Sequence, residues 1–130
     1  MILDTDFIID LMEELPEAVA KMEQLHQRQQ TIFITTPTFF KLFTGVAYGS
    51  QPEKEKQKIK LIIENQRIFD LTKASAEEAG IISGTLKKQG IPIDHEDCLI
   101  AGIAIHHNEP LLTHNIKHFQ RIKGLKIETY

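Results

Sequence analysis

Short apolar stretches alternate with helical periodicity along this chain, and that alternation constrains the fold more than any other feature. Met1-Ile-Leu, Thr31–Thr35, Ile68–Leu71 and Leu111–Thr113 read as strands, with Lys126–Tyr130 as a final edge strand. Thr5–Met12 reads as a brief helix, and Pro16 suits the first turn of a second, along which Val19, Met22 and Leu25 or His26 recur at helical spacing. Thr36-Pro37 opens a third helix with Thr36 as its cap and an inward stripe of Phe39, Leu42 or Phe43, and Val46 or Ala47. After the break at Gly49-Ser-Gln-Pro52, a fourth helix runs to Glu64 with Ile59, Ile62 and Ile63 inward. Thr72 caps a long helix over residues 73–89, whose apolar line is Ala76, Ala79, Ile82 or Ser83, and Leu86. Gly90-Ile-Pro-Ile is a connection; residues 95–107 form a helix, and Ile116–Phe119 a single helical turn. Strands separated by helices imply an α/β fold of three layers, with a mainly parallel central sheet and helices on both faces. Ligand sites in such folds lie beyond the carboxyl ends of the strands.

A length of 130 residues supports one hydrophobic core, so residues 1–130 are expected to form a single domain. The 42% hydrophobic and 25% charged content is that of a soluble globular protein. No basic, then apolar leader precedes the first strand, and no apolar run approaches the roughly 20 residues needed to span a bilayer. No membrane association and a cytoplasmic setting are expected. Cys98 is the only cysteine, which excludes an intramolecular disulfide and a cysteine zinc cluster and makes a buried, inert thiol the default. A net charge of -3 gives no general case for nucleic-acid binding. Lys54, Lys56, Lys58 and Lys60, set against Glu53 and Glu55, read as a solvated face. Lys117, His118, Arg121, Lys123 and Lys126 follow the final Thr-x-Asn directly, where basic side chains can contact phosphate.

Oxygen-bearing groups stand at several strand and helix ends. Asp4 closes the first strand, where it can serve a site or simply cap the next helix, a task Thr5 or Asp6 could share. Asp97 lies three residues after Asp94, so it can close a capping box; it also shares a helical stripe with Ala101 and Ala104, small residues that would let the helix approach the sheet. Thr113 and Asn115 follow the Leu111 strand, and Asn115 can equally cap the turn after it. His106, His107, His114 and His118 show no His-x-x-x-His spacing for zinc, whereas oxygen ligands suit magnesium or manganese.

Taken together, Ile2-Leu-Asp-Thr-Asp-Phe-Ile-Ile-Asp10, Gly90-Ile-Pro-Ile-Asp-His-Glu-Asp-Cys-Leu-Ile-Ala-Gly-Ile-Ala104 and Leu111-Leu-Thr-His-Asn-Ile-Lys-His-Phe-Gln-Arg-Ile-Lys-Gly-Leu125 resemble the PIN-domain family, particularly the small VapC-like toxins of toxin–antitoxin pairs. The resemblance covers nearly the whole chain. It implies a ribonuclease in which Asp4 and Asp97 bind Mg2+ or Mn2+, with Thr113 and Asn115 fixing the carboxylates or a bound water and Asp6 shaping the site. It implies Lys117, Arg121 and Lys123 as RNA-backbone contacts, and an antitoxin protein and a homodimer as partners. One departure stands out. The second motif, usually Thr-x-x-Glu-Leu and then Gly, reads Thr38-Phe-Phe-Lys41-Leu-Phe-Thr-Gly45, so Lys41 occupies the place of an acid. A protonated lysine cannot ligate magnesium and can neutralise Asp4 and Asp97 as an ion pair. Glu96 faces another side of its helix, and Asp10 or Glu13 would reach the rim only if the first helix turned inward. Three readings follow: an altered ribonuclease, a binding module silenced by Lys41, or an assembly protein using the extra ring of Phe39-Phe40-x-x-Phe43.

Overall fold

Strand alternation sorts the core into two halves. In the computed structural model, which describes Met1–Tyr130, the strands are β1 (Ile2–Leu3), β2 (Phe33–Thr35), β3 (Arg67–Phe69), β4 (Leu111–Leu112) and β5 (Ile127–Glu128). They form one sheet in the order β3-β2-β1-β4-β5, and every neighbouring pair is parallel. Successive side chains of a strand point to opposite faces. Leu3, Ile34 and Leu112 therefore enter one apolar cluster, while Ile2 and Leu111 enter the other. The first cluster is covered by α1 (Thr5–Met12), α2 (Pro16–Gln27), α3 (Thr36–Tyr48) and α4 (Pro52–Ile63). The second is covered by α5 (Lys73–Lys88), α6 (His95–His106) and α7 (Ile116–Phe119). The expected three-layer α/β architecture is present, with a sheet that is parallel throughout, and no helix is long and apolar enough to cross a membrane.

Several local expectations shift by a residue or a helical face. The cap of α3 is Thr35, whose hydroxyl accepts from the Thr38 N–H, whereas the Thr36 hydroxyl accepts from the Leu71 N–H at 2.9 Å and pins the β3–α5 connection. β3 ends at Phe69, opposite Thr35, the last residue of its partner β2, rather than running to Leu71. The inward line of α2 is Ala18, Met22 and Leu25, at spacings of four and three, and Val19 lies on the solvent side. In α5 the buried line starts at Ser75, which completes a capping box with Thr72, and continues through Ala79, Ile82 and Leu86; Ala76 is only half-buried.

The close approach expected of Ala101 and Ala104 toward the sheet has a counterpart on the other side of α6. This helix is buried almost all round, including Cys98, Ile100, Ala101, Gly102, Ile103 and Ala104. A Cβ on Gly102 would lie 2.7 Å from the Ser75 carbonyl oxygen and 2.8 Å from the Ala79 Cβ. Only a residue without a side chain lets α5 and α6 meet there. Gly102→Ala should destabilise the protein by about 1–3 kcal/mol, the usual cost of overpacking, read as a lower urea midpoint with an unchanged denaturant slope.

Candidate active site

The sheet is built outward from β1 in two directions, first through β2 and β3, then through β4 and β5. The crevice between the carboxyl ends of β1 and β4 is thus a topological switch point, the usual place for a ligand in an open α/β sheet. Ile2 pairs with Leu111 and Leu3 with Leu112, so the next residues, Asp4 and Thr113, emerge side by side. The Thr113 hydroxyl donates to Asp4 Oδ2 at 2.6 Å and itself accepts from the Asn115 N–H at 2.9 Å. Asp4 also caps α1, its Oδ1 accepting from the Thr5 N–H at 2.7 Å. Site placement and capping are therefore compatible roles for this carboxylate. The neighbouring Thr5 hydroxyl is buried without a protein partner.

Asp97 reaches the same crevice from the first turn of α6. Asp94 stands at the N-cap, but its side chain makes no capping bond, and Asp97 closes no capping box. Asp97 points instead at two basic groups. Lys41 Nζ donates to Asp97 Oδ1 at 2.9 Å, and His118 Nδ1 lies 3.4 Å from Asp97 Oδ2. His118 Nδ1 is also 2.8 Å from Asn115 Nδ2, so Asn115 spends its side chain on His118 and makes no side-chain cap for α7. The expected pairing of Lys41 with both carboxylates is realised as a direct bond to Asp97 alone; Asp4 is felt only through its charge.

His118 is a site residue that the sequence did not single out. There it counts only among the basic residues of the tail and among histidines without zinc spacing. Its position three residues after Asn115 on one helical turn is the signal that places the two side chains together. Asp6, on the exposed side of α1, adds negative charge near Asp4 and Lys41 without bonding to either. Lys117 and Lys123 are exposed, and Arg121 donates to the Ile91 carbonyl at 3.3 Å, so none of the three touches Asp4 or Asp97. Asp10 is engaged by Tyr130 and His114, Glu13 lines a groove between α1, α3 and α4, and Glu96 lies beside Phe40 and Leu71. None of these acids replaces the carboxylate that Lys41 displaces.

The electrostatics follow from burial. Asp4 is 1% exposed, and desolvation lifts its carboxyl from the ordinary 3.8 to about 6; the Thr113 hydroxyl opposes this, while the charges of Asp6 and Asp97 add to it. Burial alone would lower the Lys41 ammonium, but the bond to Asp97 and the charges of Asp97, Asp4 and Asp6 outweigh it and raise its pKa. Lys41 is therefore a fixed cation. A divalent ion of the magnesium type needs several oxygens turned toward one point. Here three of the four carboxylate oxygens of Asp4 and Asp97 already accept a hydrogen bond from the protein, the fourth faces His118 Nδ1 at 3.4 Å, and no group of three or more His, Cys, Asp or Glu side chains is placed to hold a metal. As arranged, the donor set does not fit a resident divalent ion.

Comparison with known proteins decides the family. The PIN-domain model matches residues 1–125. The chain belongs to the PIN-domain family. Within it, the chain is 35% identical over 125 residues to ribonuclease VapC1 of Haemophilus influenzae strain R2866, covering 95% of this chain and 92% of that protein. It is 28% identical over 128 residues to the tRNA(fMet)-specific endonuclease VapC of Shigella flexneri, covering 98% and 96%. Among solved structures, VapBC2 of Rickettsia felis, bound to a DNA fragment from its promoter, superimposes with a TM-score of 0.90 at 27% identity over 99% of this chain and 97% of that one. This PIN domain is VapC-like over its whole length.

The raised Asp4 carboxyl has a stability consequence. The unfolded chain gives up this proton near 3.8 and the folded chain near 6, so the folded state holds the extra proton between those values. Asp4 therefore contributes stability that is complete below 3.8 and lost as pH rises through about 6. Asp4→Asn removes this titration. In EDTA-containing buffer, wild-type stability should fall relative to Asp4→Asn by at most about 3 kcal/mol between acid and neutral pH. Parallel pH curves for the two proteins in urea denaturation would refute the assignment.

Proposed function

We propose that this chain is a VapC-type, RNA-directed protein that pairs with an antitoxin and whose nuclease chemistry is held back by Lys41. Full-length similarity to proteins named ribonuclease and tRNA(fMet)-specific endonuclease supports RNA phosphodiesters as the substrate class. Structural likeness to VapBC assemblies supports a protein partner. The observation that carries the restraint is the Lys41–Asp97 ion pair. In a phosphodiesterase built on paired carboxylates, Mg2+ or Mn2+ would polarise the phosphate and activate water. Lys41 places a single positive charge against Asp97 instead. An ammonium can hold a phosphate oxygen, but it brings no activated water.

A second reading keeps the chain as an active Mg2+- or Mn2+-dependent endoribonuclease, with Asp4 and Asp97 as ligands and Thr113 and Asn115 in support. It draws on the Lys41 side chain being 26% exposed on a flexible stem. A phosphate that draws Lys41 aside would free Asp97 Oδ1. The two readings separate in one series. If restraint holds, wild type cleaves no RNA with either metal, and Lys41→Glu gains stoichiometric Mn2+ binding by calorimetry together with cleavage. Metal-driven cleavage by wild type, abolished by Asp97→Asn, would establish the active reading.

A homodimer, which the family implies, draws support from Phe40 and Phe43, which are 63% and 43% exposed on α3 while Phe39 packs into the core. Sedimentation should give twice the 14.9 kDa chain mass, and Phe40→Glu should return it to the monomer. A wild-type monomer at micromolar concentration would remove this support.

A further inference from the structure

His114 stands between Thr113 and Asn115 yet takes no part in the Asp4–Asp97 cluster. Its ring lies parallel to that of Tyr130, with centroids 3.6 Å apart and planes inclined by 16°. Two hydrogen bonds and one close approach fix this arrangement. His114 Nε2 is 2.9 Å from the Tyr130 carbonyl oxygen, His114 Nδ1 is 3.4 Å from Asp10 Oδ2, and the Tyr130 hydroxyl donates to the same Asp10 oxygen at 2.6 Å. Beneath, the Tyr130 ring meets the fully buried Phe7 edge-on at 4.6 Å.

Tyr130 is also held by Phe7 and Asp10, and the imidazole above it keeps 48% of its side-chain surface exposed. One face of the ring is covered by the phenol, and the exposure belongs to the remainder. The result is an oriented aromatic surface, held from below, one residue from each of two cleft side chains. Single-stranded RNA is bound by stacking unpaired bases on such rings, and a ring whose orientation is already set loses little entropy when a base lies on it.

We propose that the His114–Tyr130 stack is a nucleobase platform: a base flanking a phosphate held by the Lys41 ammonium at the cleft lies on the open face of His114. The proposal rests on the RNA-directed reading and adds a subsite to it. Stacking tolerates any base, so the platform orients the strand without choosing a sequence. Asp10 and Tyr130 are positioning residues that keep the imidazole parallel to the phenol.

The test uses the full chain in EDTA, with a short fluorescein-labelled single-stranded RNA and an abasic ribose-phosphate oligomer of the same length, each followed by anisotropy. His114→Ala should weaken RNA binding roughly five- to a hundredfold and leave the abasic oligomer's binding unchanged. His114→Phe keeps a ring and should retain RNA binding, which separates stacking from loss of the fold. Tyr48 is 95% exposed and the chain has no tryptophan, so Tyr48→Phe makes Tyr130 the sole emitter. Its fluorescence should change when RNA binds, and not with the abasic oligomer. RNA binding by His114→Ala equal to wild type would overturn the platform while leaving the RNA-directed reading in place. Absence of RNA binding by every variant would overturn both.

Discussion

Pairing of β1 with β4 is the contact on which the cleft depends. It sets Asp4 beside Thr113, and the hydrogen bond between their side chains joins the first strand of the chain to one more than a hundred residues later. The cost of that placement is a carboxylate almost wholly removed from water. Its protonation is shifted upward, and two donors, the Thr5 N–H and the Thr113 hydroxyl, are spent on holding it. A fold with no use for charge at this point would be more stable with an apolar residue there, since burying an ionised group carries a desolvation penalty. The presence of the acid, at the crevice the topology opens, is the strongest physical sign of a site.

Lys41 changes what that site can do without changing how it is built. Leu42 and Val46 of α3 enter the core, and Lys41, one residue before Leu42, faces Asp97. The residues that pack α3 and the residue that faces the cleft are different side chains. Core packing and the charge at the cleft are thus separable, and a single position can convert an acidic, cation-seeking crevice into one already neutralised. Buried ion pairs add little net stability once desolvation is counted. The pair is better understood as setting the charge state of the cleft than as a brace for the fold.

Much of the fold was legible because it depends on periodicity. Each strand and helix was foreshadowed by alternation, apolar stripes or caps, and the parallel sheet followed from their order. The misses are instructive. Thr35 and Thr36 are chemically equivalent as caps, and only the Leu71 N–H, brought near by tertiary packing, decides which one turns inward to the helix. Val19 reads as well as Ala18 in a stripe until neighbouring elements fix the rotation of α2. The cleft acids were visible through their positions at strand and helix ends, and Lys41 as their ion-pair partner through the second motif, but the approach of His118 to Asp97 was not. A capping box is a local explanation, and it cannot see His118, 21 residues away in sequence.

The same reasoning gives the rim of the cleft its meaning. Asp4 and Thr113 are constrained by strand pairing, and Asp97 by the burial of α6, so these groups are placed by the core. His114 is placed by nothing in the core. Its orientation comes from Tyr130 and Asp10, which are joined to each other, and Tyr130 to Phe7. A surface ring held in one orientation beside a buried site costs the fold conformational freedom and still leaves about half its surface in water. Such an arrangement is intelligible when the ring's open face has an occupant, and the chemistry of a flat, half-exposed imidazole on a phenol favours another flat ring.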